Sequence, residues 1–374
     1  MKAILQANAG ICIVTFQDND PPVRMRFDRF FESRDHKPSC EITVESVAPG
    51  MEGKLEWDSM ALTSAPKRAS LARLLEPKGA IGTPWLRMLQ QACLLVVDYL
   101  RQGEPVRDLL AEPPDDAVDP FAISPLIRDY SPTVLYGDGG VGKGFTACAL
   151  AAWTADGREA CGFTARPGNV LYLDWEASDR DIRRRIWHIR NPHAAGPGPG
   201  TVHYQFCSQL FTAILPEVQR TVIEKQISGI ILDSAGPACG KPQDDDAATA
   251  LFNGLRSLRV DRGRMPCWAL VIAHQAKNAT EKTPFGSVVW RNRARDVFWL
   301  NGVSRDARLT VSVQHVKPND RAPLPPFGLE FAFAPTEITI KRVEAALEPE
   351  LAGKLPDWLR IKAALHQLGG KGGI

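Results

Sequence analysis

The sequence contains no C-x-x-C pair, although eight cysteines are spread along the chain. Several of them sit inside apolar runs, which is typical of reduced thiols in a cytosolic protein and argues against a disulfide framework or a zinc site. The chain also lacks any apolar run of the roughly 18–20 residues that a membrane span needs. The amino terminus has no basic segment followed by an apolar stretch, so the sequence indicates no signal peptide. These absences predict a cytoplasmic protein without a membrane partner.

The sequence also lacks an excess of acidic or of basic side chains. The 45 basic and 43 acidic side chains leave a formal net charge of +2, so bulk charge selects no particular partner. Any contact with nucleic acid would have to come from local clusters. The chain has 374 residues, of which 44% are hydrophobic and 24% are charged. This length and composition predict a globular protein of two domains or one elaborated domain.

The character of the chain changes after its first third. Short alternating apolar runs near the amino terminus and helical spacing over 67–102 predict a small α+β accessory domain at residues 1–115. A stretch rich in proline and aspartate, 111–125, is the best boundary candidate. The predicted core domain covers 116–345. Residues 346–374 carry one amphipathic helix pattern, which we expect to begin a further module.

From about residue 130 the pattern becomes an alternation of strands and helices. Short apolar runs predict buried strands at 133–136, 170–173, 230–232 and 270–273. Helical stretches separate them at 143–156, 178–190 and 246–259. Such alternation predicts an α/β fold with a mostly parallel sheet flanked by helices. Two later runs predict additional strands at 308–316 and 338–343.

Residues 132–146 read PTVLYGDGGVGKGFT, which is nearly a phosphate-binding loop. The pattern G-x-x-x-x-G-K is met at Gly137, Gly142 and Lys143, between a predicted strand and a predicted helix. Glycines let consecutive backbone N–H groups curve around an anion, and the helix N-terminus favours negative charge. The alternative is a plain glycine turn. We expect the phosphates of ATP to lie against the loop residues Gly137, Asp138, Gly139, Gly140, Val141, Gly142, Lys143, Gly144 and Phe145.

One position of this loop departs from the pattern. Gly144 stands where a serine or threonine hydroxyl would ligate Mg²⁺. Thr146 lies two residues further on, roughly 200° around a helix, and is a poor substitute. Water could fill the coordination position, because Mg²⁺ commonly keeps several waters. The sequence thus predicts retained nucleotide binding with weaker metal retention or slower turnover.

Three predicted strands end in side chains suited to ATP hydrolysis. Asp233 lies where a Mg²⁺-bound phosphate would sit, although alone it would more often be a turn or cap residue. Glu176 is the candidate for orienting the attacking water, and the alternative is a carboxylate that stabilises a helix dipole. Gln275 follows a third strand, where its amide could sense the γ-phosphate. Beside it, His274 is expected to be structural or a partner of another side chain.

The motifs GDGGVGKG, LYLDWE, IILDSAGPACG and VIAHQAK, followed by TPFGSVVWRNRARDVFWL, resemble those of RecA-fold ATPases. Over about residues 120–345 the chain most resembles the RepA-like hexameric helicase ATPases of plasmids and phages. The resemblance implies a RecA-like P-loop NTPase core that uses ATP and Mg²⁺ and assembles as a homo-oligomer, expected to be a hexamer. It also implies that Glu176 is catalytic, that Asp233 is the Walker B aspartate and that Gln275 is the polar residue of the third motif.

In that family a neighbouring subunit completes the site with a lysine and an arginine two residues apart. Lys317 is present here, but Asn319 stands at the arginine position. Arg321 could replace the arginine after a shift of two residues, although Pro318 makes the backbone unlike a simple strand. The resemblance therefore implies Lys317 and Arg321 as catalytic residues that act from the next subunit. The departures at Asn319 and Gly144 predict slower turnover or weaker coupling between subunits.

RecA-type proteins bind single strands through two loops that face a central channel. The corresponding stretches are 235–246 and 277–287. Lys241 in the first loop stands near three aspartates, which disfavour phosphate binding, whereas the second loop carries Lys277 and Lys282 beside small polar residues. We expect these three lysines to contact single-stranded DNA. The alternative for the second stretch is a solvated surface loop.

The combined prediction is a ring-forming ATPase of helicase type that moves along or remodels single-stranded DNA in phage or plasmid replication. A second hypothesis is a nucleotide-gated scaffold or loader for a replication partner protein, with weak or no hydrolysis, which Gly144 and Asn319 favour. A third is a recombinase-like filament former. Closed rings in electron micrographs would exclude the third hypothesis, and ATP binding without unwinding would support the second.

Overall fold

The computed structural model describes residues 2–8, 10–20, 22–32, 37–47, 52–102, 108, 110–111, 120–190, 198–260, 265–276, 283–344 and 361. The chain folds into two compact units. The first consists of residues 1–118 with 216–223 and 259–265, and the second consists of residues 119–215, 224–258 and 266–374. The predicted domain boundary between residues 115 and 116 lies outside the described residues and stays a prediction.

The first unit is built on an antiparallel sheet of five strands that follow one another in sequence order. They are β1 (Ala3–Asn8), β2 (Ile11–Phe16), β3 (Val23–Glu32), β4 (Pro38–Ser46) and β5 (Gly53–Ala61). Side chains alternate between the faces of a strand, and Val14 and Phe16 of β2 are fully buried on one face. Helices α1 (Ala65–Leu75) and α2 (Trp85–Gln102) add Leu71 and Leu89 to the same core.

The predicted helical stretch 67–102 is interrupted in the structure. A short 3-10 helix (Glu76–Lys78) and a turn separate α1 from α2. Pro77 has no N–H to donate, so α1 ends before it, whereas Pro84 directly precedes α2 and its carbonyl accepts the N–H of Met88 at 3.0 Å. The proline positions therefore divide a stretch that hydrophobic spacing alone presents as continuous.

The chain from residue 121 onward is rich in short strands. They are β6 (Phe121–Ser124), β7 (Ile127–Arg128), β8 (Thr133–Gly137), β9 (Glu159–Ala160), β10 (Phe163–Ala165), β11 (Asn169–Asp174), β12 (Val202–Phe206), β13 (Ile227–Asp233), β14 (Arg259–Val260), β15 (Met265–Pro266), β16 (Trp268–His274), β17 (Asp296–Arg305), β18 (Arg308–Lys317), β19 (Phe327–Phe333) and β20 (Ile338–Val343). Nine of them form one sheet in the order β12-β11-β13-β16-β8-β17-β18-β19-β20. Small sheets are formed by β7-β6-β10-β9 and by β14-β15.

The helices after α2 agree in part with the sequence prediction. They are α3 (Lys143–Asp156), α4 (Asp179–Arg190), α5 (Phe211–Glu224), α6 (Ala235–Cys239), α7 (Asp245–Ser257) and α8 (Val289–Arg293). The predictions of helices at 143–156, 178–190 and 246–259 are confirmed within two residues by α3, α4 and α7. Helix α5 was not predicted; Pro216 inside it is a residue that normally argues against a helix.

The large sheet is parallel from β12 to β17 and antiparallel from β17 to β20. This confirms the prediction of a mostly parallel sheet with helices. The pairing aligns the carboxyl ends of neighbouring strands, because Gly137 pairs with His274 and Asp174 pairs with Asp233. Loops that follow β8, β11, β13 and β16 therefore meet at one edge of the sheet, which is where parallel α/β folds bind ligands.

Two further expectations concern the ends and surface of the chain. The predicted helix and further module at 346–374 lie outside the described residues, apart from Ile361. In the part of the chain that the structure describes, no helix is both long and apolar enough to cross a membrane.

Candidate functional site

The loop between β8 and α3 turns sharply into the helix. Gly142 caps α3 with a φ of 95°, in the left-handed region that favours glycine. A Cβ at Gly142 would also lie 2.7 Å from Val311 Cγ2, and a Cβ at Gly137 would lie 2.5 Å from the carbonyl oxygen of Leu300. Packing thus requires glycine at both ends of the loop.

The middle of the loop is open. A Cβ at Gly139 or Gly140 would meet no atom within 4 Å. Among the described residues, the backbone N–H groups of Gly140, Val141 and Gly142 have no protein acceptor. The first N–H groups of α3 also lack acceptors within the helix. Free N–H groups at a helix N-terminus bind anions, so the loop fits the phosphates of a nucleotide.

Lys143 begins α3 and bends back over the loop. Its Nζ donates to the carbonyl oxygens of Gly137 at 3.1 Å and Asp138 at 2.7 Å. Burial lowers the pKa of Lys143, and the carboxylates of Asp233 and Glu176 partly oppose this effect. A partly desolvated ammonium group beside free N–H groups is well placed to stabilise negative charge on a phosphate.

Asp233 ends β13 next to the loop. Its Oδ2 accepts a hydrogen bond from the hydroxyl of Tyr172 at 2.6 Å. Burial raises the pKa of Asp233 to about 6, although the Tyr172 hydrogen bond lowers it. Because a cation would offset the cost of burying this carboxylate, Asp233 is suited to hold Mg²⁺ directly or through water.

Glu176 is positioned by the turn that follows β11. Buried Asp174 accepts hydrogen bonds from the backbone N–H groups of Glu176 and Ala177, each at 2.9 Å. Oε1 of Glu176 accepts a hydrogen bond from Ser234, and Nε2 of His274 lies 3.2 Å from the same oxygen. The Glu176 side chain is 43% exposed, so water can reach it. This arrangement can orient a carboxylate that accepts a proton.

Gln275 connects β16 to the loop and to β17. Its backbone N–H donates to the carbonyl of Gly137 at 3.0 Å, and its side-chain oxygen accepts from Trp299 Nε1 at 2.8 Å. His274, rather than the Gln275 side chain, lines the space above the loop. The predicted sensing role of Gln275 stays a prediction.

These groups surround one pocket of about 320 Å³. Its lining includes Gly139, Gly140, Lys143, Glu176, Arg185 and Asp233. The structure thus brings together the loop and the two carboxylates that the sequence pattern singles out. The chemical role of each stays a prediction.

The space beside Gly144 is taken by an arginine. A Cβ at Gly144 would lie 3.1 Å from Nη1 of Arg185 and 3.8 Å from Oδ2 of Asp233. The Arg185 guanidinium also lies over the ring of Phe145, with its Cζ 4.7 Å from the ring centroid. A cationic side chain therefore stands next to the position where the usual hydroxyl is missing.

The two residues expected to act from another subunit have partners in their own chain. Nζ of Lys317 donates to the carbonyls of Arg291, Asn292 and Ala294 at 2.8, 3.0 and 2.6 Å. These contacts stabilise the C-terminal end of α8. The role of Lys317 from the next subunit stays a prediction.

Arg321 likewise makes contacts within its own unit. Its guanidinium donates to Oδ1 of Asp296 at 2.6 and 3.1 Å and to the carbonyl of Pro125. Asp296 is fully buried and also pairs with Arg128 at 3.0 Å. Arg321 therefore neutralises a buried carboxylate, and its catalytic role stays a prediction.

The predicted DNA-binding lysines are only partly described. Lys241 is exposed in the loop between α6 and α7, and its carbonyl accepts the N–H of Asp244 at 3.0 Å. Asp244 in turn caps the N-terminus of α7, so one of the three neighbouring aspartates has a structural role. Lys277 and Lys282 lie outside the described residues. Contact with DNA stays a prediction for all three lysines.

The geometry agrees with a comparison with known families. Residues 103–280 match the model of a family described as an AAA domain. The AAA-domain match includes the phosphate loop, Glu176, Asp233 and Gln275, and it ends before Lys317 and Arg321. It indicates a nucleotide-binding domain of the P-loop ATPase type. In a comparison with curated proteins, none matches this chain.

Sequence reasoning missed several groups in this site. Tyr172 and Ser234 lie next to predicted site residues in the folded chain, but neither carries a motif of its own. Asp174 ends β11 and holds the turn that carries Glu176, a role that no sequence motif indicates. Arg185 belongs to the basic stretch RDIRRRIWHIR, and the signal that could have selected it was helical spacing, since Ile182, Ile186 and Ile189 face the core.

Proposed function

We propose that the chain is a P-loop ATPase that binds ATP with Mg²⁺ in the pocket above β8. The observation that carries the proposal is that free loop N–H groups, Lys143, Asp233 and Glu176 all line that pocket. The AAA-domain match supports nucleotide binding and ATPase activity over the same residues.

Different residues of the chain would serve phosphate binding, metal binding and activation of water. The loop N–H groups and Lys143 hold the phosphates and stabilise their charge. Asp233 would hold Mg²⁺, which when bound supplies positive charge to the phosphate oxygens. Glu176, oriented by Ser234 and His274, positions a water and accepts its proton.

Removal of the Lys143 charge tests the proposal. We expect Lys143→Ala to weaken ATP binding by roughly 10–100-fold in calorimetry, because it removes the ammonium from a half-enclosed phosphate site. The exposed Lys67→Ala serves as the control for a lost lysine. No measurable ATP binding by the wild-type chain, or equal binding by wild type and Lys143→Ala, would contradict the proposal.

We further propose that the ATPase forms a homo-oligomeric ring, a hexamer, and acts on single-stranded DNA as a RepA-like helicase in phage or plasmid replication. The order of motifs over residues 120–345 and the exposed Lys241 support this proposal. Mass photometry with and without ATP and single-stranded DNA, followed by a strand-displacement assay, tests it. Particles that remain single chains under all conditions would contradict the ring.

A second candidate is a nucleotide-gated scaffold or loader with slow hydrolysis. The contacts of Lys317 and Arg321 within their own unit favour it, because a motor of the proposed kind needs basic residues from the next subunit. Mixing Lys143→Ala with Lys317→Ala chains decides between the two. Recovery of ATPase activity in the mixture supports the ring motor, and ATP binding without recovery or unwinding supports the scaffold.

A further inference from the structure

Arg185 is the cationic side chain in the pocket that neither the phosphate-loop pattern nor the AAA-domain match assigns. It lies in α4, lines the same space as Lys143, Glu176 and Asp233, and is half-buried. Among the described residues, its guanidinium has no hydrogen-bond acceptor and no ion-pair partner, and it lies over the face of Phe145. Its N–H donors are therefore available to an anionic ligand in the pocket.

Several contacts hold α4 in place against the rest of its unit. Ile182 and Ile189 are buried in the core, and Arg190 pairs with Asp156 of α3 at 2.6 Å. The hydroxyl of Ser178 accepts the N–H of Asp181 at 3.3 Å and donates to its carboxylate at 2.8 Å, which fixes the start of the helix. The helix therefore presents Arg185 to the phosphate loop from a supported position.

The guanidinium of Arg185 occupies the space that a side chain at position 144 would need. A Cβ at position 144 would lie 3.1 Å from Arg185 Nη1, closer than carbon and nitrogen ordinarily pack. A serine or threonine there would add a hydroxyl to the same place. The absence of a side chain at position 144 therefore leaves room for the guanidinium beside the first turn of α3.

We propose that Arg185 is a nucleotide-phosphate ligand provided by the same chain, and that Gly144 is the residue that makes room for it. The planar guanidinium offers paired N–H donors to phosphate oxygens. It contributes positive charge next to Lys143, so phosphate binding depends less on Mg²⁺ than in a loop that relies on a hydroxyl-ligated metal. This inference rests on the proposed nucleotide site and deepens it.

The test measures ADP binding by calorimetry, once with Mg²⁺ and once with EDTA. We expect wild type to keep binding ADP in EDTA and Arg185→Ala to lose roughly tenfold or more in affinity there, as for a lost hydrogen-bonded charge. The loss with Mg²⁺ present should be smaller. Arg184→Ala is the matched control, because Arg184 is the neighbouring residue of the same helix and is exposed.

Gly144→Ser tests whether Arg185 needs the absence of a side chain at position 144. The serine should displace the guanidinium, so that ADP affinity in EDTA falls toward that of Arg185→Ala. Adding Gly144→Ser to Arg185→Ala should then cause little further loss in EDTA, because both changes remove the same contact. Thermal unfolding of each variant, with Arg185→Gln as a second replacement that stays polar but loses the charge, separates lost binding from lost fold.

The outcomes separate this inference from the proposed function. If wild type binds no ADP under either condition, the nucleotide site itself is refuted, and this inference with it. If Lys143→Ala loses binding while Arg185→Ala and Arg185→Gln match Arg184→Ala in EDTA, the role of Arg185 alone is overturned. Additive losses from Gly144→Ser and Arg185→Ala would also overturn it.

Discussion

At the scale of single residues, the two carboxylates of the pocket are held in different ways. Oxygens of Asp233 and Glu176 both accept hydrogen bonds, but Asp233 is half-buried, whereas the Glu176 side chain is 43% exposed. Enclosure raises the pKa of Asp233 to about 6. Burial makes Asp233 costly to ionise, and a bound metal ion would offset that cost. Glu176 is open to water, which suits a residue that accepts a proton.

Asp233→Asn is expected to stabilise the nucleotide-free protein at neutral pH. The folded-state pKa of about 6 lies above the ordinary 3.8, so ionisation opposes folding and stability falls as pH rises through this window. Relief of this cost is worth at most about 1–3 kcal/mol. Thermal unfolding should show a higher Tm than wild type at pH 7.5 and no gain at pH 4.

Exposed Asp20→Asn is the control for this comparison. The same Asp233→Asn variant should gain no more stability from ATP with Mg²⁺ than from ATP in EDTA, because the group that would hold the cation is lost. A variant less stable than wild type at pH 7.5 in the absence of nucleotide would contradict the assigned pKa effect.

Glu176→Gln is expected to separate binding from hydrolysis. The amide keeps the size of the side chain but cannot take a proton from water, so kcat should fall by roughly 10²-fold or more. ATP affinity measured by calorimetry should stay unchanged, since the phosphate loop and Lys143 are intact. Unchanged turnover in a coupled ATPase assay would remove Glu176 from the proposed mechanism.

At the scale of elements, the loop from β8 to α3 depends on its contacts with β17 and β18. Gly137 approaches the backbone of Leu300 in β17, and Gly142 approaches Val311 in β18. Neither neighbour belongs to the loop motif, and both lie more than 150 positions further along the sequence. The antiparallel extension of the sheet therefore supports the shape of the loop.

Gly137→Ala and Gly139→Ala form a matched pair that tests this support. The added Cβ at 137 would lie 2.5 Å from a carbonyl oxygen, and we expect a loss of about 2 kcal/mol or more in the free energy of unfolding. At 139 the Cβ enters open space, and the change should stay within about 0.5 kcal/mol. Urea denaturation measures both, and equal losses would contradict the packing argument.

At the scale of the whole molecule, a buried carboxylate, that of Asp296, links distant segments of the second unit. Asp296 at the start of β17 pairs with Arg128 of β7, with His315 of β18 and with Arg321 after it. Burial alone would raise the pKa of Asp296, but hydrogen bonds from His315 and Arg321 outweigh it and hold the pKa below 3.8. This cluster links segments that are distant in sequence and gives Arg321 a structural function.

Asp296→Asn is expected to destabilise the protein by about 3–5 kcal/mol at pH 7, because it leaves the buried guanidinium of Arg128 and the half-buried guanidinium of Arg321 uncompensated. The lowered pKa means that the contribution of Asp296 is complete above pH 3.8 and is lost as pH falls through the folded-state value. The difference from wild type in chemical denaturation should therefore shrink at acid pH. A difference that grows as the pH is lowered would contradict the assignment.

The amino-acid sequence by itself determined the class of fold and the centre of the site. Apolar runs of strand length alternating with helical stretches predicted the parallel sheet, and the spacing of Gly137, Gly142 and Lys143 predicted the phosphate loop, because both are local patterns. The ends of predicted strands also selected Glu176 and Asp233 as candidate site residues. The helicase activity and the ring stay predictions.

Only the tertiary structure decided which groups surround that centre. Arg185, Ser234 and His274 meet the predicted residues because β8 lies between β16 and β17 and α4 packs on α3, and no local pattern encodes that order. The same packing gives Lys317 and Arg321 partners in their own chain. Side-chain contacts follow from strand order and helix docking, which join residues far apart in sequence, so spacing along the chain cannot specify them.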